Sequence, residues 1–201
     1  MDRTNELPLL KVTDQHSLKT PRILGIDPGT NILGYGILEF RDQKSIVLDV
    51  NTLQLKKFDT HQAKLREIFL RVQELIETFQ PQSLSIESPF FGKNAQSMHK
   101  LGRAQGVAIA AAMVMGLEIY EFSPKKIKKA ITGNGNATKE QVAQMLNRLL
   151  DFKIDEKYYD ATDALAAALC LMNELNSPAK GIKATGKSWK SFIANNPSRV
   201  V

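Results

Sequence analysis

The chain has 201 residues, of which 27 are Lys or Arg and 21 are Asp or Glu, so its formal net charge is +6. Hydrophobic residues make up 43% and glycine contributes 12 positions; these proportions belong to a globular domain and exclude collagen-like, low-complexity and wholly disordered chains. Cys170 is the single cysteine, which excludes an internal disulfide. One cysteine and three histidines are also too few to build a thiolate metal cluster. A reduced, cytoplasmic compartment is the natural expectation.

The pattern of apolar residues predicts five strands and five helices in the order βββ-α-β-α-β-α-α-α. We predict strands at residues 22–27, 33–40, 46–55, 83–87 and 117–122. Helices are predicted at residues 61–79, 95–115, 125–131, 139–150 and 159–175. Short connections between the first three strands predict an antiparallel meander. The whole order indicates one α/β domain with a mixed five-stranded sheet flanked by helices.

Polar residues and proline mark the starts of two of these helices. Ser123 followed by Pro124 is typical of an N-cap with proline at the first helical position. Thr138 is the expected N-cap of the next helix.

The ends of the chain differ in composition from its middle. We expect residues 1–20 to form an irregular leader, 21–176 the globular domain and 177–201 a basic, flexible tail. The leader lacks the apolar run of an export signal, and the most apolar stretch, residues 106–117, is too short to cross a bilayer. No membrane association is therefore expected.

Positive charge is unevenly distributed along the chain. The tail holds five basic residues and no acid, and the domain contains two further acid-free stretches, 88–117 and 122–139. Each stretch alone is compatible with an ordinary solvated surface. Around isolated carboxylates, however, such stretches favour contact with a phosphate backbone near a metal site.

Four acids lie in apolar surroundings, where an ionised carboxylate is costly unless it is paired or binds a metal. Asp27 ends one predicted strand and Glu87 ends another, while Asp160 and Asp163 lie three residues apart in an alanine-rich helix. Two acids at that spacing share a helix face and repel each other. A divalent cation removes the repulsion, and oxygen ligands suit Mg²⁺ or Mn²⁺.

Each acid also has a simpler explanation. Asp27 precedes Pro-Gly-Thr and could serve the turn, Glu87 could pair with a lysine, and Asp160 could be a helix N-cap. Asp163 is harder to explain in this way, because Ala164 and four more apolar residues follow it. Taken together, the four favour a metal-dependent site of the kind that hydrolyses phosphodiesters, where two ions about 4 Å apart activate water and stabilise the leaving oxygen.

Four segments together resemble the RuvC family of Holliday-junction resolvases. They are GIDPGTNILGYGILE, IESPFFGKNAQSMHKLGRAQGVAIAAA, KKIKKAITGNGNATKEQV and DATDALAAAL, in this order between residues 23 and 172. The resemblance implies a ribonuclease H-like fold and a homodimer that makes paired, Mg²⁺-dependent nicks in four-way DNA junctions, with two ions per site and Mn²⁺ as a possible substitute. It also implies association with the branch-migration proteins RuvA and RuvB.

The resemblance further assigns roles to individual residues. Asp27, Glu87, Asp160 and Asp163 match the metal-binding catalytic acids. The matches at DNA-contacting positions are Phe90, which would stack at the opened junction centre, and Lys128 and Lys139, which would lie near the cut. The small-residue helix after Lys93 matches one that packs across the family's dimer, although such a helix is more often internal.

Three other functions compete with this interpretation. An actin- or hexokinase-like ATPase shares the strand-Asp-x-Gly-Thr pattern, but it needs a second domain and further glycine-rich motifs. A ribonuclease H-like nuclease with another substrate, such as RNA, is disfavoured by the Phe90 segment and the lysine-rich helix. A DNA-binding module that has lost catalysis is disfavoured because all four acids are present.

Overall fold

The computed structural model describes residues 21–88, 95–152 and 159–177, without the side chains of Tyr159 and Asp160. Five strands form its sheet: β1 (Arg22–Asp27), β2 (Ile32–Arg41), β3 (Lys44–Gln54), β4 (Ser83–Glu87) and β5 (Glu118–Phe122). The helices are α1 (His61–Phe79), α2 (Ala95–Val114), α3 (Pro124–Thr132), α4 (Lys139–Leu149) and α5 (Tyr159–Asn176). The predicted order of elements is confirmed. The predicted leader and almost all of the predicted tail lie outside the described residues.

The sheet is mixed, as predicted, with strand order β3-β2-β1-β4-β5. The meander β1-β2-β3 is antiparallel, and β4 and β5 continue the sheet parallel to β1. β1, β3, β4 and β5 therefore all point the same way. Because α1, α2 and α3 follow β3, β4 and β5 along the chain, these three helices begin at the sheet edge where the parallel strands end.

Helices cover both faces of the sheet, so most side chains of the central strands are buried. On one face, Leu24 and Ile26 of β1 pack with α1 and the alanines of α2. On the other face, Ile23 of β1 packs with α3, α4 and α5. This alternation along a single strand is what the two-sided burial of a central strand requires. In the part of the chain that the structure describes, no helix is long and apolar enough to cross a membrane.

The hairpin between β2 and β3 is tighter than the sequence indicated. We predicted strands at residues 33–40 and 46–55, but β2 extends to Arg41 and β3 begins at Lys44. Only Asp42 and Gln43 form the turn, with φ of 52° and 63°. Two left-handed residues match the right-handed twist of the flanking strands, so this turn can close a two-residue hairpin even without glycine.

A buried charge anchors the beginning of β1. Glu39 of β2 is fully buried and accepts hydrogen bonds from Arg22 and Arg41. Burial alone would raise the pKa of Glu39, but the hydrogen bonds and charges of the two arginines lower it overall. Arg22 also donates to the carbonyl oxygen of Phe79 at 2.8 Å, which ties β1 to the end of α1.

Candidate active site

Two of the predicted acids end neighbouring parallel strands. β1 and β4 pair in register at Ile26 and Ile86, so Asp27 and Glu87 each follow this pair by one residue. Both side chains are half-buried. Adjacent parallel strands are less than 5 Å apart, which places the two carboxylates side by side at one edge of the sheet.

α5 brings Asp163 to the same edge because it packs unusually close to β1. A Cβ atom on Gly25 would lie 2.0 Å from the carbonyl oxygen of Ala164. A side chain at position 25 would therefore push α5 away, and glycine allows the helix backbone to lie on the strand. Since Ala164 follows Asp163 directly, this contact sets how near Asp163 approaches the strand ends.

A second contact fixes α5 against β4. The buried Oγ of Ser85 donates a hydrogen bond of 2.6 Å to the carbonyl oxygen of Ala167. Ser85 lies two residues before Glu87, and Ala167 lies one helical turn after Asp163. The hydrogen bond therefore helps to hold the Glu87 and Asp163 carboxylates in register.

A cavity of about 170 Å³ joins Glu87 and Asp163 with two lysines from α3 and α4. The Nζ atom of Lys139 lies 2.7 Å from Oδ2 of Asp163, and Lys128 lines the same cavity. Ser123 and Thr138, both confirmed as N-caps, start the helices that carry these lysines. Thr138 forms a full capping box with Gln141, so Lys139 occupies a well-defined first turn.

The electrostatics of this cavity favour a bound cation. Burial raises the pKa of Glu87 to about 7, the nearby Asp163 carboxylate raises it too, and Lys139 and Lys128 oppose the shift. A carboxyl group with a raised pKa in a cleft is a typical feature of catalytic sites. A divalent cation would relieve the repulsion between Glu87 and Asp163 and favour the ionised form of both.

The structure brings together some of the predicted site residues and leaves others undescribed. Glu87, Asp163, Lys128 and Lys139 line one cavity, and Asp27 ends the strand beside Glu87. Asp160 is the second residue of α5, so the alternative of an N-cap is wrong, and its i, i+3 spacing puts it on the same helix face as Asp163. Phe90 lies outside the described residues.

No complete metal-binding group is present among the described side chains. Within 21–88, 95–152 and 161–177, no three Asp, Glu, His or Cys side chains are grouped closely enough to hold an ion. The Asp160 side chain is not part of that set. The donors that are described, the carboxylates of Glu87 and Asp163 with Asp27 beside them, are oxygen ligands, which fits a hard divalent cation.

Two positioning residues, Gly25 and Ser85, were missed in the sequence. Each carries a local signal: Gly25 interrupts an otherwise apolar buried strand, and Ser85 is a polar residue within another. A glycine inside a strand indicates close approach of another backbone. A buried hydroxyl indicates a hydrogen-bond partner.

A mixed sheet of this order, with acids at adjoining strand ends and on the last helix, defines a ribonuclease H-like nuclease fold. A model of the crossover junction endodeoxyribonuclease RuvC family matches residues 23–171. The chain belongs to this family, so it is an endodeoxyribonuclease of the kind that cuts crossover junctions, and a divalent metal requirement follows in general.

Relatives and solved structures agree with this assignment. The crossover junction endodeoxyribonuclease RuvC of Bacteroides fragilis is 51% identical, covering 91% of this chain and 97% of its own length. That of Christiangramia forsetii is 49% identical over 94% of this chain and 98% of its own length. The structure of Thermus thermophilus RuvC is similar with a TM-score of 0.68 and 30% identity, over 74% of this chain and 92% of that one.

A second Thermus thermophilus RuvC structure is in complex with a Holliday junction substrate. It matches with a TM-score of 0.66 and 29% identity, over 75% of this chain and 91% of that one. The yeast mitochondrial Holliday junction resolvase shares the fold, with a TM-score of 0.59 at 16% identity over 76% of this chain and 78% of that one.

Proposed function

We propose that Asp27, Glu87, Asp160 and Asp163 are the catalytic acids with which this chain makes paired nicks in a four-way DNA junction during recombination and repair. The observation that carries the assignment is the single cavity shared by Glu87, Asp163, Lys128 and Lys139, with Asp27 on the adjoining strand end. Carboxylates suit metal ions, and lysines beside them suit the phosphate being cut.

Mg²⁺ is the proposed cofactor, with two ions per site and Mn²⁺ as a substitute. When bound, the ions would supply an activated water and stabilise the departing oxygen. The chain's own contribution is to hold the four carboxylates in place through the Gly25–Ala164 and Ser85–Ala167 contacts. The ammonium group of Lys139, now paired with Asp163, can instead contact a phosphate oxygen once a cation neutralises that carboxylate.

The test is the cleavage of a labelled synthetic four-way junction by purified protein, with and without Mg²⁺. A linear duplex and an RNA–DNA hybrid of the same sequence serve as controls. Symmetric, metal-dependent nicks in the junction alone are expected. Cleavage of the hybrid in preference to the junction would instead support a ribonuclease H-like enzyme with an RNA substrate, and binding of the junction without cleavage under varied junction sequences would support a binding module.

Substitution of the acids tests the assignment of the site. Asp163→Asn should abolish cleavage and leave junction binding largely intact, because metal chemistry and phosphate contacts depend on different residues. Glu74→Gln, on the exposed side of α1 and ion-paired with Arg71, is the matched control and should cut normally. Retained cleavage in the Asp163 variant would refute the assignment.

Phe90 is proposed to stack on bases at the open centre of the junction. This role is supported only by its position in the family motif, three residues after Glu87. Phe90→Ala should therefore reduce cutting more than binding, since stacking matters most when the strand is placed for attack. A normal cutting rate in this variant would remove Phe90 from the mechanism.

We propose a homodimer that forms through an exposed stripe on α2. Gly102, Gly106 and Ala110 recur every four residues on the exposed side of the helix, and within the described part of the chain no atom beyond the neighbouring backbone of α2 lies within 4 Å of a Cβ placed on either glycine. Met113 and Val114, which are 62% and 74% exposed, continue the stripe with apolar surface. Met113→Arg should yield monomers by light scattering, whereas Leu149→Arg, at a residue 51% exposed on α4, should not.

RuvA and RuvB are the proposed protein partners, on the ground of membership in the family. Co-sedimentation of the three proteins on junction DNA tests this association.

A cytoplasmic location is supported by Cys170, which is free and buried, with burial raising the pKa of its thiol to about 11. A chain limited to residues 21–176 should retain junction cleavage if these limits enclose the nuclease domain.

A further inference from the structure

A second group of basic residues lies at the active-site edge of the sheet, on the face opposite Lys128 and Lys139. It consists of His61 and Lys64 in the first two turns of α1 and Lys100 and Arg103 in the first three turns of α2. Both helices start at the edge where Asp27 and Glu87 lie, and they pack against each other. We call these four residues the α1/α2 basic cluster.

Lys64 connects this cluster directly to the turn that follows Asp27. Its Nζ atom donates hydrogen bonds to the carbonyl oxygen of Thr30 at 3.2 Å and to Oδ1 of Asn31 at 3.3 Å. Thr30 is only three residues beyond Asp27. The ammonium group is therefore held close to the catalytic edge, and its position is set by the same turn.

The charges of the cluster oppose one another in the protein alone. Burial lowers the pKa of His61, and the positive charges of Arg103, Lys100 and Lys64 lower it further, so these three charges all lie within electrostatic range of His61. The first turn of α1 holds no acid, although a helix start favours negative charge. The Nε2 atom of His61 is buried and has no hydrogen-bond partner among the residues that the structure describes. Like charges gathered at a helix start are costly unless an anion neutralises them.

A nucleic-acid strand that crosses the active site must carry phosphates on both sides of the one being cut. Lys128 of α3 and Lys139 of α4 line the cavity and are placed to contact phosphates on one side of the cut. On the other side, the α1/α2 basic cluster lies at the same edge and presents exposed Lys100 and Arg103. Phosphodiester oxygens, spaced regularly along a strand, suit several cations distributed over two helices better than a single small anion does.

We propose that the α1/α2 basic cluster binds the phosphodiester backbone of a junction arm, on the side of the cut phosphate opposite Lys128 and Lys139. The proposal rests on the proposed junction cleavage and extends it: the active site lies in the middle of a phosphate track rather than at its end. Lys100 and Arg103 contact the phosphates from solvent, and Lys64 contacts the phosphate nearest the Asp27 turn.

The test is the salt dependence of junction binding by the Lys100→Gln/Arg103→Gln double variant, measured in EDTA so that no cleavage occurs. The logarithm of the binding constant falls linearly with the logarithm of salt concentration, with a slope of about 0.9 per phosphate contact on duplex DNA. We expect the slope of the double variant to be smaller by about 2 than that of the unaltered protein. Lys100→Arg/Arg103→Lys should keep the original slope.

The matched control removes one lysine and one arginine elsewhere. Lys44 and Arg148 are exposed and line a common cleft at the opposite end of the sheet, near the β2–β3 hairpin. Lys44→Gln/Arg148→Gln loses the same net charge and should change the slope little. An equal change in both double variants would overturn the proposal, because the effect would then come from net charge alone.

Failure of this proposal differs from failure of the proposed function. If the unaltered protein cuts junctions but the Lys100/Arg103 variant keeps its affinity and salt slope, the cluster does not bind DNA and only this inference is lost. If the unaltered protein neither binds nor cuts junctions, the proposed function itself is wrong. Both exposed residues can be replaced without removing a core contact, and circular dichroism verifies that the variant is folded.

Discussion

Ser85 and Ala167 are joined by a hydrogen bond that links the strand carrying Glu87 to the helix carrying Asp163. The donor is the buried hydroxyl of Ser85 and the acceptor is a main-chain carbonyl in the middle of α5, at 2.6 Å. Neither residue is one of the proposed catalytic groups, yet their contact helps to hold two of the proposed catalytic carboxylates, those of Glu87 and Asp163, near each other. The contact is therefore a sensitive point at which activity can be separated from folding.

Ser85→Ala should clearly lower the rate of junction cleavage, while it lowers the free energy of unfolding only slightly. Loss of one neutral hydrogen bond typically costs about 1 kcal/mol in the free energy of unfolding, whereas a small shift of α5 displaces Asp163 from Glu87. Ser83→Ala is the matched control, because Ser83 is buried on the same face of β4 but two residues further from the site. Denaturant unfolding and junction cleavage should be measured on both variants. Equal effects of the two substitutions on cleavage would argue against the positioning role.

Gly25→Ala should destabilise the protein more than Gly36→Ala. A Cβ on Gly25 would meet the main-chain carbonyl oxygen of Ala164 at 2.0 Å, whereas one on Gly36 would meet the end of the Leu165 side chain at 2.6 Å. A side chain can rotate away, but a helix backbone must move as a whole. Overpacking of this kind lowers the free energy of unfolding by roughly 1–3 kcal/mol. The loss in the Gly25 variant should lie at or above the upper end of this range. Thermal unfolding of the two variants shows which is less stable. A lower melting temperature for Gly36→Ala than for Gly25→Ala would contradict the prediction.

Lys139→Met should lower the cleavage rate by about a hundredfold, the typical effect of removing a group that stabilises transition-state charge. It should also raise the pKa of Glu87 further, since the Lys139 charge now opposes that shift. Lys139→Arg should restore much of the rate. Lys126→Met is the control: Lys126 pairs with Glu174 at 2.8 Å, another ion pair to α5 but outside the active-site cavity. If both methionine variants were equally slow, the effect could not be assigned to the site.

The contribution of Glu87 to the stability of the metal-free protein should fall as pH rises from about 4.5 to about 7. Burial and the Asp163 charge raise the pKa of Glu87 from its ordinary value of 4.5 to about 7 in the folded protein. In this window the folded state therefore holds a proton that the unfolded state has released, so rising pH favours unfolding. Glu87→Gln should flatten this part of the profile. Melting temperatures in EDTA across the window provide the measurement, and identical profiles for the two proteins would count against a raised pKa.

The sequence predicted the elements well because nearly all of them have a simple local pattern. The RILGID and SLSIE runs predicted β1 and β4, and Ser123 and Thr138 marked the starts of α3 and α4. What no local pattern could provide is that β4 inserts beside β1, which puts Glu87 next to Asp27. That adjacency depends on a crossover through α1 and on the packing of both faces of the sheet.

The details of the site depend on contacts between residues far apart in the chain. The 2.7 Å pair of Lys139 with Asp163 and the raised pKa of Glu87 arise only when the helices α3, α4 and α5 meet the end of β4. In the same way, Gly25 signalled that something approaches β1 closely, but not that the neighbour is Ala164. The chemical types of the site residues were therefore predictable, and their distances and charge states were not.

The close packing of α5 on β1 also has a consequence for protein synthesis. Asp27 emerges from the ribosome early and Asp163 late, because α5 is the final helix of the described fold. A nascent or partly folded chain thus holds the strand-end acids and basic surfaces but lacks the acids of the last helix. With Asp160 and Asp163 as proposed catalytic acids, such a chain would lack half of the acids needed for cleavage, and the capacity to nick DNA would be acquired only when the last helix docks.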